Sequence, residues 1–264
     1  MNVLVTGHKG EAGSIIMNSL NFFGHNCSSY ENSKSSINNV NLIVHTAAKH
    51  PNNTSNEIFS SNIIYHKKVV DHCNNLDSNI VFLSSISVYG KSEKLHIDEK
   101  HCVSSSCFYG ASKIFGEKYI EEKNINGFSL RLPAILSLKK RSNLMGRIIE
   151  SLEKNQDIVL TNSNTPFNSY VDPEDIARFI DYSSESKGLT CLNFSVDPCL
   201  TLYETVCVLK ELTSSESSVI QSENKASNNI YLTQKLKKIN DFEFEHPQYI
   251  LERWVNRMKN HASI

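Results

Sequence analysis

The sequence predicts an α/β fold: a doubly wound parallel sheet with helices on both faces, followed by a small carboxy-terminal lobe. Three observations carry this. Short β-rich runs alternate with segments of helical period through most of the 264 residues. The run VNLIVHTAA (residues 40–48) is almost continuously apolar, as a strand covered on both faces must be. TGHKGEAG (residues 6–13) puts glycines at the junction of the first strand and the first helix.

In chain order, NVLVT (2–6) reads as the first strand, ended by Gly7. GSIIMNSLNFFG (13–24) spaces Ile15, Ile16, Leu20 and Phe23 for a helix that stops at Gly24. NCSSY (26–30) is a weaker strand, and the apolar run 40–48 is the next. A helix over 62–73, the strand NIVFLSS (79–85), a helix opening near Tyr109 and the strand GFSLRLP (127–133) follow. Only residues 32–39 separate the second strand from the next apolar run. A parallel crossover usually needs a dozen residues or so, so one βα unit of the usual sheet is expected to be missing or vestigial. The Ser/Asn-rich stretch 213–229 reads as the flexible loop. The expected division is a dinucleotide-binding unit of residues 1–133 and 167–196, with a lobe of 134–166 and 197–264.

A formal net charge of −1 argues against an electrostatic nucleic-acid binder. Lys139-Lys140-Arg141 reads as a solvated loop or a site for one small anion. The seven cysteines are scattered without C-x-x-C spacing, which fits neither a zinc site nor a disulfide framework. Cys27 and Cys191 are expected to be small buried hydrophobes. No window approaches 18 apolar residues and the amino terminus enters a strand directly, so a cytoplasmic protein without a membrane span is expected.

Gly7, Gly10 and Gly13 stand at G-x-x-G-x-x-G spacing. Such glycines allow a tight turn, close approach of a pyrophosphate and helix–strand packing, while the helix end offers N–H donors and partial positive charge. The turn residues Gly7, His8, Lys9, Gly10, Glu11, Ala12 and Gly13 are therefore candidate dinucleotide ligands. Glu31, 18 residues beyond Gly13, can accept hydrogen bonds from ribose hydroxyls and would repel a 2′-phosphate. Lys9 and Lys34 pull the other way, so the cofactor is NAD or NADP, with NAD favoured. CFYGASKIFGEKY (107–119) sets Tyr109 and Lys113 one helical turn apart on one face. By itself this spacing leaves open a catalytic pair or two residues of an ordinary amphipathic helix.

Five stretches in order decide between these. VLVTGHKGEAG (3–13), VHTAAKH (44–50), VFLSSISVYG (81–90), YGASKIFGEKY (109–119) and SYVDPEDIARFI (169–180) together resemble the extended short-chain dehydrogenases/reductases of the nucleotide-sugar epimerase/dehydratase kind. The resemblance implies a Rossmann-type sheet and a catalytic set of Ser85, Tyr109 and Lys113. Tyr109 would be the general acid/base, with a pKa lowered by the neighbouring Lys113 charge, and Ser85 would orient the same substrate oxygen. It also implies cofactor contacts from Ala47, Ala48, Asn62, Leu132 and Pro133, and substrate contacts from Ser85, Ile86, Ser87 and Tyr109. For Asn62, a helix N-cap is the alternative; His45 reads as a satisfied strand histidine and Tyr89 as packing.

Dehydratases resemble one another in an acidic pair where this chain has Ile86 and Ser87, so elimination lacks its acid and base. GDP-fucose synthases carry a cysteine in place of Ser87. The hydride-only chemistries remain: C4 epimerisation, or reduction of a 4-keto sugar. The substrate is expected to be a nucleotide sugar, although Ala134 and Asn168 replace an asparagine and an arginine of relatives; Lys139, Lys140, Arg141 or Arg147 could supply the charge. Two rival readings stand beside this: a dehydrogenase or reductase of a non-nucleotide substrate, and a non-catalytic dinucleotide sensor or scaffold, which would not be expected to keep all three of Ser85, Tyr109 and Lys113. Resemblance further implies a homodimer joined through the helix of Tyr109 and the one before it, using residues such as Ile114, Phe115 and Tyr119.

Overall fold

In the computed structural model, residues 1–31, 39–138, 143–183, 186–222 and 229–262 are described. Lys34, Lys139, Lys140 and Arg141 lie outside them. The elements in chain order are β1 (Asn2–Thr6), α1 (Glu11–Phe22), β2 (Asn26–Ser29), β3 (Leu42–His45), α2 (Ser55–Ile58), α3 (His66–Asn75), β4 (Asn79–Ser85), β5 (His96–Ile97), α4 (Phe108–Glu122) and β6 (Gly127–Leu132). The chain continues with β7 (Ala134–Ile135), α5 (Leu144–Glu153), β8 (Ile158–Thr161), β9 (Tyr170–Val171), α6 (Pro173–Tyr182), β10 (Leu189–Asn193), α7 (Leu202–Thr213), β11 (Val219–Ser222), β12 (Ile230–Tyr231) and α8 (Pro247–Ala262).

Six strands form one parallel sheet in the order β10-β6-β4-β3-β1-β2. The order reverses between β1 and β3, the topology of a doubly wound sheet. Among the described residues β2 is the outermost strand on that side of the sheet.

Within the apolar runs, side-chain alternation sorts the two faces. Val3, Val5, Val81 and Leu83 join one core with Ile16 and Leu20 of α1 and Ile176 and Phe179 of α6. Leu4, Ile80 and Phe82 turn to the other, with Val69 and Val70 of α3 and Ile120 of α4. A period of two inside a continuous hydrophobic run is what burial on both faces produces. The first core continues without a break to Trp254 and Val255 of α8. Near the carboxy terminus α7 packs on α5 and α8, and β8 pairs with β11.

Several boundaries differ from expectation. The first helix opens at Glu11 rather than residue 13, because Gly10 already serves as its N-cap. The helix expected from residue 62 begins at Ser55, where Thr54 and Glu57 form a reciprocal capping box. It runs through a π-helical turn, Phe59–Tyr65, before α3. The strand read over 40–48 is confined to Leu42–His45, where β1 and β4 flank it. The stretch read as a loop over 213–229 contains β11, whose pairing with β8 overrides its polar composition. Cys27 and Cys191 are half-buried rather than core residues, since β2 and β10 are the outermost strands.

Candidate active site at the strand ends

Gly7 ends β1 with φ +66°, a backbone geometry that favours glycine. A Cβ there would lie 2.9 Å from Ala47 Cα, and one on Gly13 would lie 2.3 Å from the Gly7 carbonyl oxygen. These two glycines therefore create a close cradle among β1, α1 and the segment after β3. The Gly10 N-cap has no side-chain capping bond, so the N-terminal N–H groups of α1 are not satisfied by a cap. A bare helix end beside a cradle that a Cβ would fill suits a pyrophosphate. Lys9 and Gly10 are exposed there, while His8 and Ala12 are half-buried. The Glu11 carboxylate turns away to Ser137 Oγ at 2.8 Å and to the Leu138 N–H, so its backbone is what it offers at the helix end.

Thr6 holds the cradle together, a residue whose role nothing in the sequence singled out. Its Oγ1 accepts from the Thr46 and Ala47 N–H groups, each at 3.1 Å, and contacts His45 Nδ1 at 2.7 Å. Thr46 Oγ1 donates back to the Thr6 carbonyl at 2.6 Å. Ala47 and Ala48 follow, half-buried, with no bulk to block the sheet edge. His45 is buried and satisfied, as a strand histidine. Burial, with His66 and Lys113 nearby, holds its pKa well below the ordinary range.

Glu31 stands at the end of β2 and folds over the turn. It accepts from Gly7 N–H at 3.3 Å and Tyr65 Oη at 3.0 Å, and pairs with His8 Nδ1 at 3.1 Å. Partial burial would raise its pKa; the hydrogen bonds outweigh it and hold the carboxyl below its ordinary value. Tyr65 was not foreseen, because it arrives through the π-helical turn. Asn62 lies inside that turn and is not a cap. Its buried side chain accepts from Lys49 N–H at 2.7 Å, and donates to the Lys49 carbonyl at 3.0 Å and Ser112 Oγ at 3.2 Å. It thereby ties the segment after β3 to α4.

Ser85 closes β4, and α4 brings Tyr109 and Lys113 over it. Against the expectation of a lowered value, burial pushes the pKa of the half-buried Tyr109 up, and the neighbouring Ser85 side chain opposes the rise. Lys113 is 3% exposed, with Nζ 5.7 Å from the Tyr109 ring centroid and 4.8 Å from that of Phe82. It donates to the Leu83 carbonyl at 2.7 Å. Burial lowers its pKa to about 7, against the raising influence of Glu117. Ser87 accepts from Ser85 Oγ at 3.1 Å, while Ile86 is half-buried and apolar. Leu132 and Pro133 are buried at the neighbouring strand end.

On the same helix as Tyr109 and Lys113, Glu117 receives Arg131 through Nη2 at 2.7 Å and Nε at 3.0 Å. Ser84 and Ser129 also donate to it, and Arg131 continues to the Tyr89 hydroxyl at 3.0 Å. Tyr89 donates to Asn193 at 2.5 Å, so it packs beside the site and carries no free hydroxyl into it. Asn168, where relatives have an arginine, is buried and braces β12 through the Tyr231 backbone. Arg147 is exposed on α5. Among the described residues no cluster could hold a metal ion, and no helix is long and apolar enough to cross a membrane.

A model of the NAD dependent epimerase/dehydratase family matches residues 3–189. No curated protein matches the sequence. Among solved structures, the chain is similar to UDP-glucose 4-epimerase with UDP-glucose from Thermotoga maritima, at 16% identity and TM-score 0.78 over 99% of this chain and 100% of that one. It is similar to UDP-N-acetylglucosamine 4-epimerase from Bacillus cereus, at 20% identity and TM-score 0.79 over 98% and 99%. The Bordetella bronchiseptica enzyme WbmH in complex with NAD+ aligns at 16% identity and TM-score 0.79 over 99% of both chains. At these identities the likeness is one of fold.

Proposed function

The chain belongs to the NAD-dependent epimerase/dehydratase family, and from that premise we propose that it is an NAD-dependent enzyme acting by hydride transfer at a sugar carbon. The favoured substrate is a nucleotide sugar and the favoured position is C4, as in a 4-epimerase or a 4-keto-sugar reductase. One observation carries the reading: the buried Lys113 Nζ lies 5.7 Å from the Tyr109 ring centroid, with Ser85 beside the same tyrosine. The nucleotide-sugar reading is supported by the UDP-glucose and NAD+ bound to structural neighbours. Sequence and site leave Ile86 and Ser87 where an eliminating enzyme would need carboxylates, which favours hydride-only chemistry.

The Gly7–Gly13 turn would hold the NAD pyrophosphate, with Glu31 on the adenosine ribose. When bound, NAD supplies the acceptor and donor of hydride. Tyr109 removes the proton from the sugar hydroxyl as hydride leaves carbon, and returns it in the reverse step. Ser85 holds that oxygen in line. Lys113 in its charged form would favour the tyrosinate. We also propose the two-part division read from the sequence, in which residues 134–166 and 197–264 form the substrate lobe.

The test is to denature the purified protein and identify the nucleotide it releases, for the wild type and Tyr109→Phe. Stoichiometric NAD in both, with turnover of UDP-sugars lost in the variant, is the expected result. An empty protein that binds NADH on titration would favour the reductase over the epimerase. Turnover surviving in Tyr109→Phe would remove Tyr109 from its role.

A further inference from the structure

Glu11 occupies the first turn of the helix whose end is offered to the pyrophosphate. A carboxylate there competes with any incoming anion for the same N–H groups and the same dipole. The structure holds it elsewhere. Ser137 Oγ donates to Glu11 Oε2 at 2.8 Å, and the Leu138 N–H donates to Oε1. The receiving segment leaves the end of β6 through Pro133 and β7, so it borders the C-terminal edge of the sheet. It is pinned from the other side too: the buried Trp254 of α8 donates Nε1–H to the Ser137 carbonyl at 3.0 Å.

Resting on the reading above, we propose that Glu11 is a positioning residue: a latch joining the dinucleotide turn to the 137–138 segment, so that cofactor occupancy and the placement of this segment are coupled. The segment supplies the carboxylate with two donors; a diphosphate supplies none and repels it. Bound diphosphate therefore raises the cost of Glu11 leaving the segment, and the coupling is reciprocal.

Hydrogen exchange at the Leu138 amide reads the latch directly, with NAD+ as the probe and without reference to turnover. In the wild type, saturating NAD+ is expected to slow exchange at Leu138 at least threefold. Glu11→Ala should speed basal exchange at least fivefold and abolish the NAD+ response. Glu11→Gln keeps a carbonyl acceptor without the charge, so most basal protection should stay while the response to NAD+ disappears. Equal slowing by NAD+ in Glu11→Gln and wild type would overturn the coupling, as would basal exchange unchanged in Glu11→Ala. If titration shows that the wild type binds no NAD+, the cofactor reading fails and the coupling with it; binding without a Leu138 response sinks the coupling alone.

Discussion

Lys113 is buried at 3% exposure with one backbone carbonyl as its hydrogen-bond acceptor, so its charge is costly to the fold. Its folded pKa of about 7 lies below the ordinary 10.5. Between those values the unfolded chain holds more protons than the native one, so stability from this group rises with pH. Below pH 7 the lysine is charged in both states and the full cost is present. Lys113→Met is therefore expected to raise the melting temperature by roughly 5 °C at pH 6 while abolishing turnover, with the gain shrinking toward pH 10. Calorimetry across that range checks it; a gain independent of pH would place the cost elsewhere.

At the scale of elements, the glycine cradle depends on α1 approaching β1 closely. Gly13→Ala would put a methyl 2.3 Å from the Gly7 carbonyl oxygen and 2.7 Å from Thr46 Oγ1. Backbone must move, at a cost of ~1–3 kcal/mol. NAD affinity is expected to fall at least tenfold, measured by titration; unaltered affinity would mean that the cradle is not where the dinucleotide lies. Gly7 and Gly13 were legible in the sequence because a turn and a helix start leave a compositional trace. So was the helical spacing of Tyr109 and Lys113. The capping box of Thr54 and Glu57 was equally legible as T-x-x-E, and would have placed the start of its helix correctly. The π-helical turn has no such trace, and so the reach of Tyr65 to Glu31 was hidden. Nor could local pattern show that Glu11, Thr6 and Asn62 find partners on distant segments: Glu11 and Ser137 are 126 residues apart.

For the whole molecule, exposed apolar side chains gather on the helical run that opens with α2 and on α4. Phe59 is 47% exposed, Ile64 42%, Phe108 43% and Phe115 36%. Tyr119, expected at the same contact, is instead 9% exposed and donates to Asp71 at 2.6 Å. A homodimer through these helices is therefore proposed without it. Light scattering at micromolar concentration should give twice the chain mass of 29.8 kDa, and Phe115→Asp should halve that value. A wild type that runs as a single chain would discard the dimer.

The bond between Trp254 and the Ser137 carbonyl has a consequence in time. The two residues are 117 positions apart, so during synthesis roughly ten seconds separate their emergence at ordinary ribosomal rates. By the time Trp254 emerges the nascent chain carries every strand of the central sheet, the last being β10, and only then does the segment that holds Glu11 gain its second anchor. The turn between β1 and α1 is thus braced through a helix that lies far along the chain. A nascent chain that stops short of α8 would hold the Glu11 carboxylate through Ser137 and Leu138 alone, without the Trp254 anchor behind them.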